Sequence, residues 1–263
     1  MAHFKLIFSR LMNIAVRISL ICLVFSAKVS LGQVVNIEQS RMHLDSLGWS
    51  GVVQGNFQMQ KYQNLFLATS ARTTVFKKNK NDYWMFLGET GFSVAQEVQF
   101  NNMSLFHARY NRSTAIEWLK WEAFTQMQYN RLLGLDRRNL LGSGLRFKLY
   151  EKDNSRYYLG STVMWDYEKV NRGDESVLYG RSSFYFSFTH KVPGKWSLVS
   201  TTYYQPLLNR LNDVRVAGQH AFTTPVGKHL GVRIELNHYY DSRPPVGIIK
   251  STFNSQVGFI WEL

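Results

Sequence analysis

The sequence predicts an all-β fold: a transmembrane, antiparallel, up-and-down β-barrel of about twelve strands with short turns on both sides. Three observations predict it. Runs of alternating polarity recur from residue 48 onward, the chain closes on one of them ("FNSQVGFIWEL", residues 253–263), and aromatics make up 15% of a chain only 19% charged. A period of two puts alternate side chains on opposite faces of a strand. Aromatic surface in that excess, with charge below the usual quarter, needs an apolar solvent.

The first element, residues 1–32, reads as a cleaved signal peptide. Lys5 and Arg10 precede an apolar core from Ile18 to Phe25, and Ser30 and Gly32 stand before a cut at Gln33. The core is shorter than the roughly 20 residues that span a bilayer. The single cysteine, Cys22, falls inside this segment. The mature chain, 33–263, is therefore expected to carry no thiol, disulfide or Cys-ligated metal. Losing Lys5, Arg10, Arg17 and Lys28 lowers the net charge from +13 to +9 (13 minus 4). The remaining basic residues are scattered through strand-like runs without a nucleic-acid module. Outer-membrane lipid and lipopolysaccharide are the expected partners, and nucleic acid is not.

The alternating runs are 48–60, 63–76, 83–98, 103–111, 117–132, 139–151, 156–169, 177–192, 196–207, 213–224, 229–241 and 251–263, parted by turn chemistry such as "KKNKND", "KDNS", "PGK" and "PVGK". Repeated hairpins built from an even number of strands, after a signal peptide, predict a barrel in the outer membrane of a Gram-negative bacterium. A soluble sandwich would bury its apolar face and end in a solvated tail. In the last run Phe253, Val257, Phe259, Trp261 and Leu263 face one way, and Asn254, Gln256 and Glu262 the other. Lipid cannot satisfy an open sheet edge, so this strand should pair with the first. It is also the segment expected to meet the barrel assembly machinery.

With both termini periplasmic, Trp49, Trp84, Trp118, Trp121, Trp196 and Trp261 gather at the periplasmic interface as an aromatic belt, and Trp165 falls toward the outer rim. Tyr129, Tyr167, Tyr204 and Tyr240 crowd the outer ends.

In "WEAFTQMQYN", Glu122, Phe124, Gln126, Gln128 and Asn130 share a face. Parity sets Arg109, Arg146 and Lys148 on that face of neighbouring strands. A lumen polar network of Arg109, Glu122, Gln126, Arg146 and Lys148 is expected, because buried charges need opposite partners. Over the whole chain, parity turns Arg72, Arg109, Arg146, Lys148, Arg181, Lys191, Arg215 and Arg233 inward with Glu89, Glu122, Asp166, Glu168, Glu235 and Glu262. Such a lumen should be crowded, with a weak anion preference. Gly142 and Gly144 face inward as well. Asp136, Arg137 and Arg138 are expected in an outer hairpin.

Twelve-stranded barrels include phospholipases and lipid A hydrolases, so a lipid-modifying enzyme is the alternative. Such chemistry needs a serine with a positioned histidine near the lipid. His220 and His238 have lipid-facing parity, yet neither is followed by a serine and no G-x-S-x-G occurs. His107 and His229 lack paired ligands at metal spacing. The sequence points to no catalytic residue, metal site or cofactor.

The stretch 109–147, with its "RYNR", "WEAFTQMQYN", "LDRR" and "GSGLRF" segments, resembles the salt-induced outer-membrane protein family, domain of unknown function 481. The resemblance implies an outer-membrane barrel and supplies no activity. Together these readings predict a non-enzymatic integral barrel, either a narrow solute pore or a structural envelope protein.

Overall fold

The computed structural model describes residues 47–61, 65–95, 98–131, 134–170, 176–244 and 248–262. The expected signal peptide, the cut at Gln33 and the terminal Leu263 lie outside the described residues. Twelve antiparallel strands follow one another: β1 (Gly48–Lys61), β2 (Leu65–Lys78), β3 (Asp82–Ala95), β4 (Val98–Ser113), β5 (Leu119–Asn130), β6 (Leu135–Lys152), β7 (Ser155–Val170), β8 (Ser176–Val192), β9 (Trp196–Leu207), β10 (Arg210–Pro225), β11 (Leu230–Asp241) and β12 (Ser251–Glu262). Each pairs with its neighbours in sequence, and β12 returns to β1 to close the barrel. The seam runs from Val52↔Glu262 to Gly55↔Phe259. Closure leaves no open edge, as lipid requires.

Alternation decides which face of each strand is wet. On β12, Phe253, Val257, Phe259 and Trp261 are exposed outward while Thr252, Asn254 and Ile260 are buried. On β8, Phe184 and Phe186 are exposed and Arg181, Ser183, Tyr185 and Ser187 are buried. A barrel greasy outside and polar inside inverts a soluble protein, and its exterior matches a bilayer.

Trp49, Trp84, Trp121, Trp196 and Trp261 all lie within three residues of a strand end on the side where β1 begins and β12 ends. Trp118, in the β4–β5 turn, joins them there. Ring contacts between strands knit this belt, with Trp84 at 4.5 Å from Tyr110 and Tyr110 at 5.9 Å from Trp121. Trp165, 63% exposed, lies toward the other side.

One reading is corrected. Asp136, Arg137 and Arg138 are part of β6, which starts at Leu135. Its register with β7 slips between Leu135 and Arg137, so that Leu135 and Arg138 are both buried. Arg138 belongs to the lumen, not to a solvated hairpin.

Candidate functional site: the lumen

Among the described residues, the fully buried charges are Arg72, Arg109, Arg138, Arg146, Arg181, Arg215 and Arg233 with Glu89, Glu122, Asp166, Glu168, Asp213, Glu235 and Asp241. Seven bases meet seven acids. The expected excess of bases is thereby corrected: Lys191 is exposed, Lys148 sits at the rim, and Arg138, Asp213 and Asp241 join the interior. The side chain of Glu262 lies outside the described ones. Charges out of reach of water need partners at close range, and here they form three lattices.

The first is centred on Glu122 of β5, which is 0% exposed. Its carboxylate accepts hydrogen bonds from Asn111 at 3.0 Å and from the Tyr185 hydroxyl at 2.9 and 3.0 Å, and lies 3.5 Å from the Arg109 guanidinium. Tyr185 reaches it from β8, over two intervening strands. Arg146 donates to the same hydroxyl at 3.2 Å and stacks on Tyr158 at 3.8 Å. Two glycines make room for these rings. A Cβ on Gly160 would strike the Tyr185 ring, and one on Gly142 would strike Phe124. Gln126 stands beside this lattice: its carbonyl accepts from His107 at 3.1 Å and its amide donates to Gln128 at 3.3 Å. Lys148 stands apart, bonded to Glu117 at 3.2 Å and Glu151 at 3.3 Å at the rim.

The second lattice lies toward the opposite end. Arg138 forks onto Asp166 at 2.9 and 2.7 Å. Arg215 of β10 grips Glu168 of β7 through both terminal nitrogens, Asp166 at 3.1 Å and Asp241 at 2.8 Å. Arg181 adds Asp213 at 3.2 Å. Sequence reasoning missed Arg138, Asp213 and Asp241 because each stands at a strand end beside turn residues. Parity within the runs 213–224 and 229–241 already turns Asp213 and Asp241 inward with Arg215 and Arg233, and one step before the run 139–151 finds Arg138. Next to this lattice, Leu135, Tyr185, Tyr203, Ala217 and Tyr239 form an apolar cluster running from β6 to β11.

The third lattice straddles the seam. Arg72 forks onto Glu89 at 3.0 and 3.2 Å and reaches Glu235 at 3.3 Å. Glu235 also receives Arg233 at 2.6 Å and Gln54 at 3.0 Å.

Between the first two lattices remains a cavity of about 30 Å³, bordered by His107, Arg109, Gln126, Arg138, Tyr185 and Gln205 among others. It is sized for one or two waters.

On the lipid face, His220 lies 2.7 Å from the Ser200 hydroxyl and its ring stacks on His238 at 5.5 Å. A serine–histidine bond is the start of a nucleophile's activation. Here, however, Ser200 is 8% exposed, and the same contact recurs between Ser155 and His190 at 2.7 Å. Both pairs are directly opposed across neighbouring strands. They read as side chains satisfying each other where lipid offers no partner.

A family model described as protein of unknown function, DUF481, matches residues 50–262. No curated relative matches the sequence. Among solved structures, the NanC porin is 10% identical with a TM-score of 0.49, over 81% of this chain and 98% of that one. The KdgM porin is 9% identical with a TM-score of 0.44, over 81% and 99%. The translocator domain of the autotransporter NalP from Neisseria meningitidis is 13% identical with a TM-score of 0.48, over 86% and 93%. Identity this low transfers no activity.

Proposed function

The chain belongs to the DUF481 family, and from the way side chains fill its lumen we propose that it is a non-enzymatic outer-membrane barrel acting as a narrow pore held shut. The outward apolar bands and the tryptophan belt support the membrane setting. The reading carries with it contact with outer-membrane lipid and lipopolysaccharide, and delivery by the barrel assembly machinery through β12. The observation that carries the closed pore is the bridging of non-adjacent strands by Tyr185–Glu122 and Arg215–Glu168, with both carboxylates buried. Twelve strands lie between the eight that side chains fill and the sixteen that leave an aqueous channel.

Planar-bilayer recording of the purified barrel tests this. The unmodified protein should show at most small conductance steps, and Arg215→Ala, which cuts the link from β10 to β7, should enlarge them. Open-porin conductance in the unmodified protein, or silence in both, would overturn the reading.

A further inference from the structure

The barrel end at which β1 begins and β12 ends holds a cavity of about 210 Å³ between the β8–β9 and β10–β11 turns. Lys191, Lys195, Lys228 and His229 line it, and all four are exposed. Among the described residues no carboxylate does, and residues 188–198 and 222–232 contain neither Asp nor Glu. The potential in this recess is therefore positive, and a concave wall of low dielectric concentrates it.

The recess is built rather than incidental. The Thr224 hydroxyl donates to the Lys195 carbonyl at 3.0 Å, tying one turn to the other. Backbone bonds from Lys195 to Val192 at 3.0 Å and from Val226 to Leu230 at 2.9 Å close the turns themselves. Trp196, stacked at 5.9 Å on Phe222, gives one wall a flat aromatic base. The floor is made by Ser197 and Thr223, directly opposed across β9 and β10 and 7% and 6% exposed. The Thr223 hydroxyl is buried without a hydrogen-bond partner. An orphaned buried hydroxyl costs stability unless something completes it.

We infer that this recess is a binding vestibule for a small solute bearing a carboxylate or phosphate. The ammonium groups would hold its charge at the rim, and the floor hydroxyls would meet its oxygens. Its volume is below the roughly 300 Å³ at which drug-sized sites begin, which limits the occupant to a monosaccharide acid or less. The vestibule extends the pore reading, since it stands at the lumen's mouth and would gather anions there, while the interior behind it is balanced.

The test is calorimetric titration of the purified barrel in zwitterionic detergent with glucuronate and with inorganic phosphate, against glucose and sodium chloride at equal ionic strength. Saturable binding of glucuronate or phosphate, absent with glucose and chloride, is expected. The pair Lys195→Gln and Lys228→Gln should weaken it at least tenfold. Thr223→Val, which alters no charge, should weaken it several-fold with the strand spectrum unchanged. An equal response to chloride, no binding, unchanged affinity in the variants, or binding only in nanodiscs containing phosphatidylglycerol would overturn the solute vestibule. Binding is read without conductance, so a barrel that binds but never conducts loses the pore and keeps the vestibule.

Discussion

Glu122→Gln keeps the shape of the side chain and removes the carboxylate on which Arg109 and the Tyr185 hydroxyl converge, with Arg146 bonded to that hydroxyl. Glu122 is wholly buried, and Arg109 and Arg146 are each 3% exposed, so water cannot take over the lost charge. The Arg109 guanidinium then faces a neutral amide, whose NH₂ also points a donor at the Asn111 amide and at the Tyr185 hydroxyl that receives Arg146. Breaking a buried pair from one side costs about 3–5 kcal/mol, most of it the uncompensated charge left behind. At about 2–4 °C per kcal/mol for a chain of this size, the unfolding midpoint should fall by about 6–20 °C. The assay is heat modifiability, in which the folded barrel migrates apart from the unfolded chain on a gel as temperature rises. Adding Arg109→Gln removes part of the stranded charge and should recover a substantial share of the loss, the coupling expected of contacting residues. A midpoint within about 2 °C of the parent, or a double variant worse than the sum of its singles, would refute the lattice.

Two further predictions concern the exterior. Cysteine at Ile249, 62% exposed in the β11–β12 connection, should react with an impermeant thiol reagent on whole cells, and cysteine at Lys195 should not. The reverse pattern would invert the proposed orientation. Ser200→Ala should leave the barrel folded and change no lipid hydrolysis, because its bond to His220 is cross-strand satisfaction. A phospholipase activity that vanishes with this substitution would restore the enzyme reading.

The strands were legible because their signal is local. A period of two survives any register, and the observed strands begin and end within a few residues of the alternating runs, except at β4 and β6, which start earlier. The β6 start hid because "LDRR" carries turn composition while its backbone is already in the strand; the slip between Leu135 and Arg137 places two residues three apart on the same face. Partner identity was less legible than facing. Parity turns Gln126 and Lys148 inward with Glu122, yet Gln126 bonds His107 and Lys148 bonds Glu117. Which interior side chains meet depends on barrel tilt and on the gaps left by Gly142 and Gly160. No single strand encodes either.

The partition of the two basic residue types follows from their hydration and shape. All seven fully buried bases among the described residues are arginines, whereas Lys77, Lys80, Lys152, Lys191, Lys195, Lys228 and Lys250 are exposed at strand ends and turns. A guanidinium is weakly hydrated and presents a planar fork that can satisfy two carboxylates at once, as Arg215 and Arg72 do. An ammonium is a strongly hydrated point charge, expensive to dry and better left at the rim. The arginines therefore cross-link the wall from inside, and a lattice of fixed forks offers no mobile counter-charge for a passing ion to exchange with. The lysines keep their water and collect at the mouths, where attracting a solute costs no dehydration. In this arrangement capture and closure belong to different residues, so substitutions at the rim should alter binding while leaving barrel stability in place, and substitutions among the buried arginines should do the opposite.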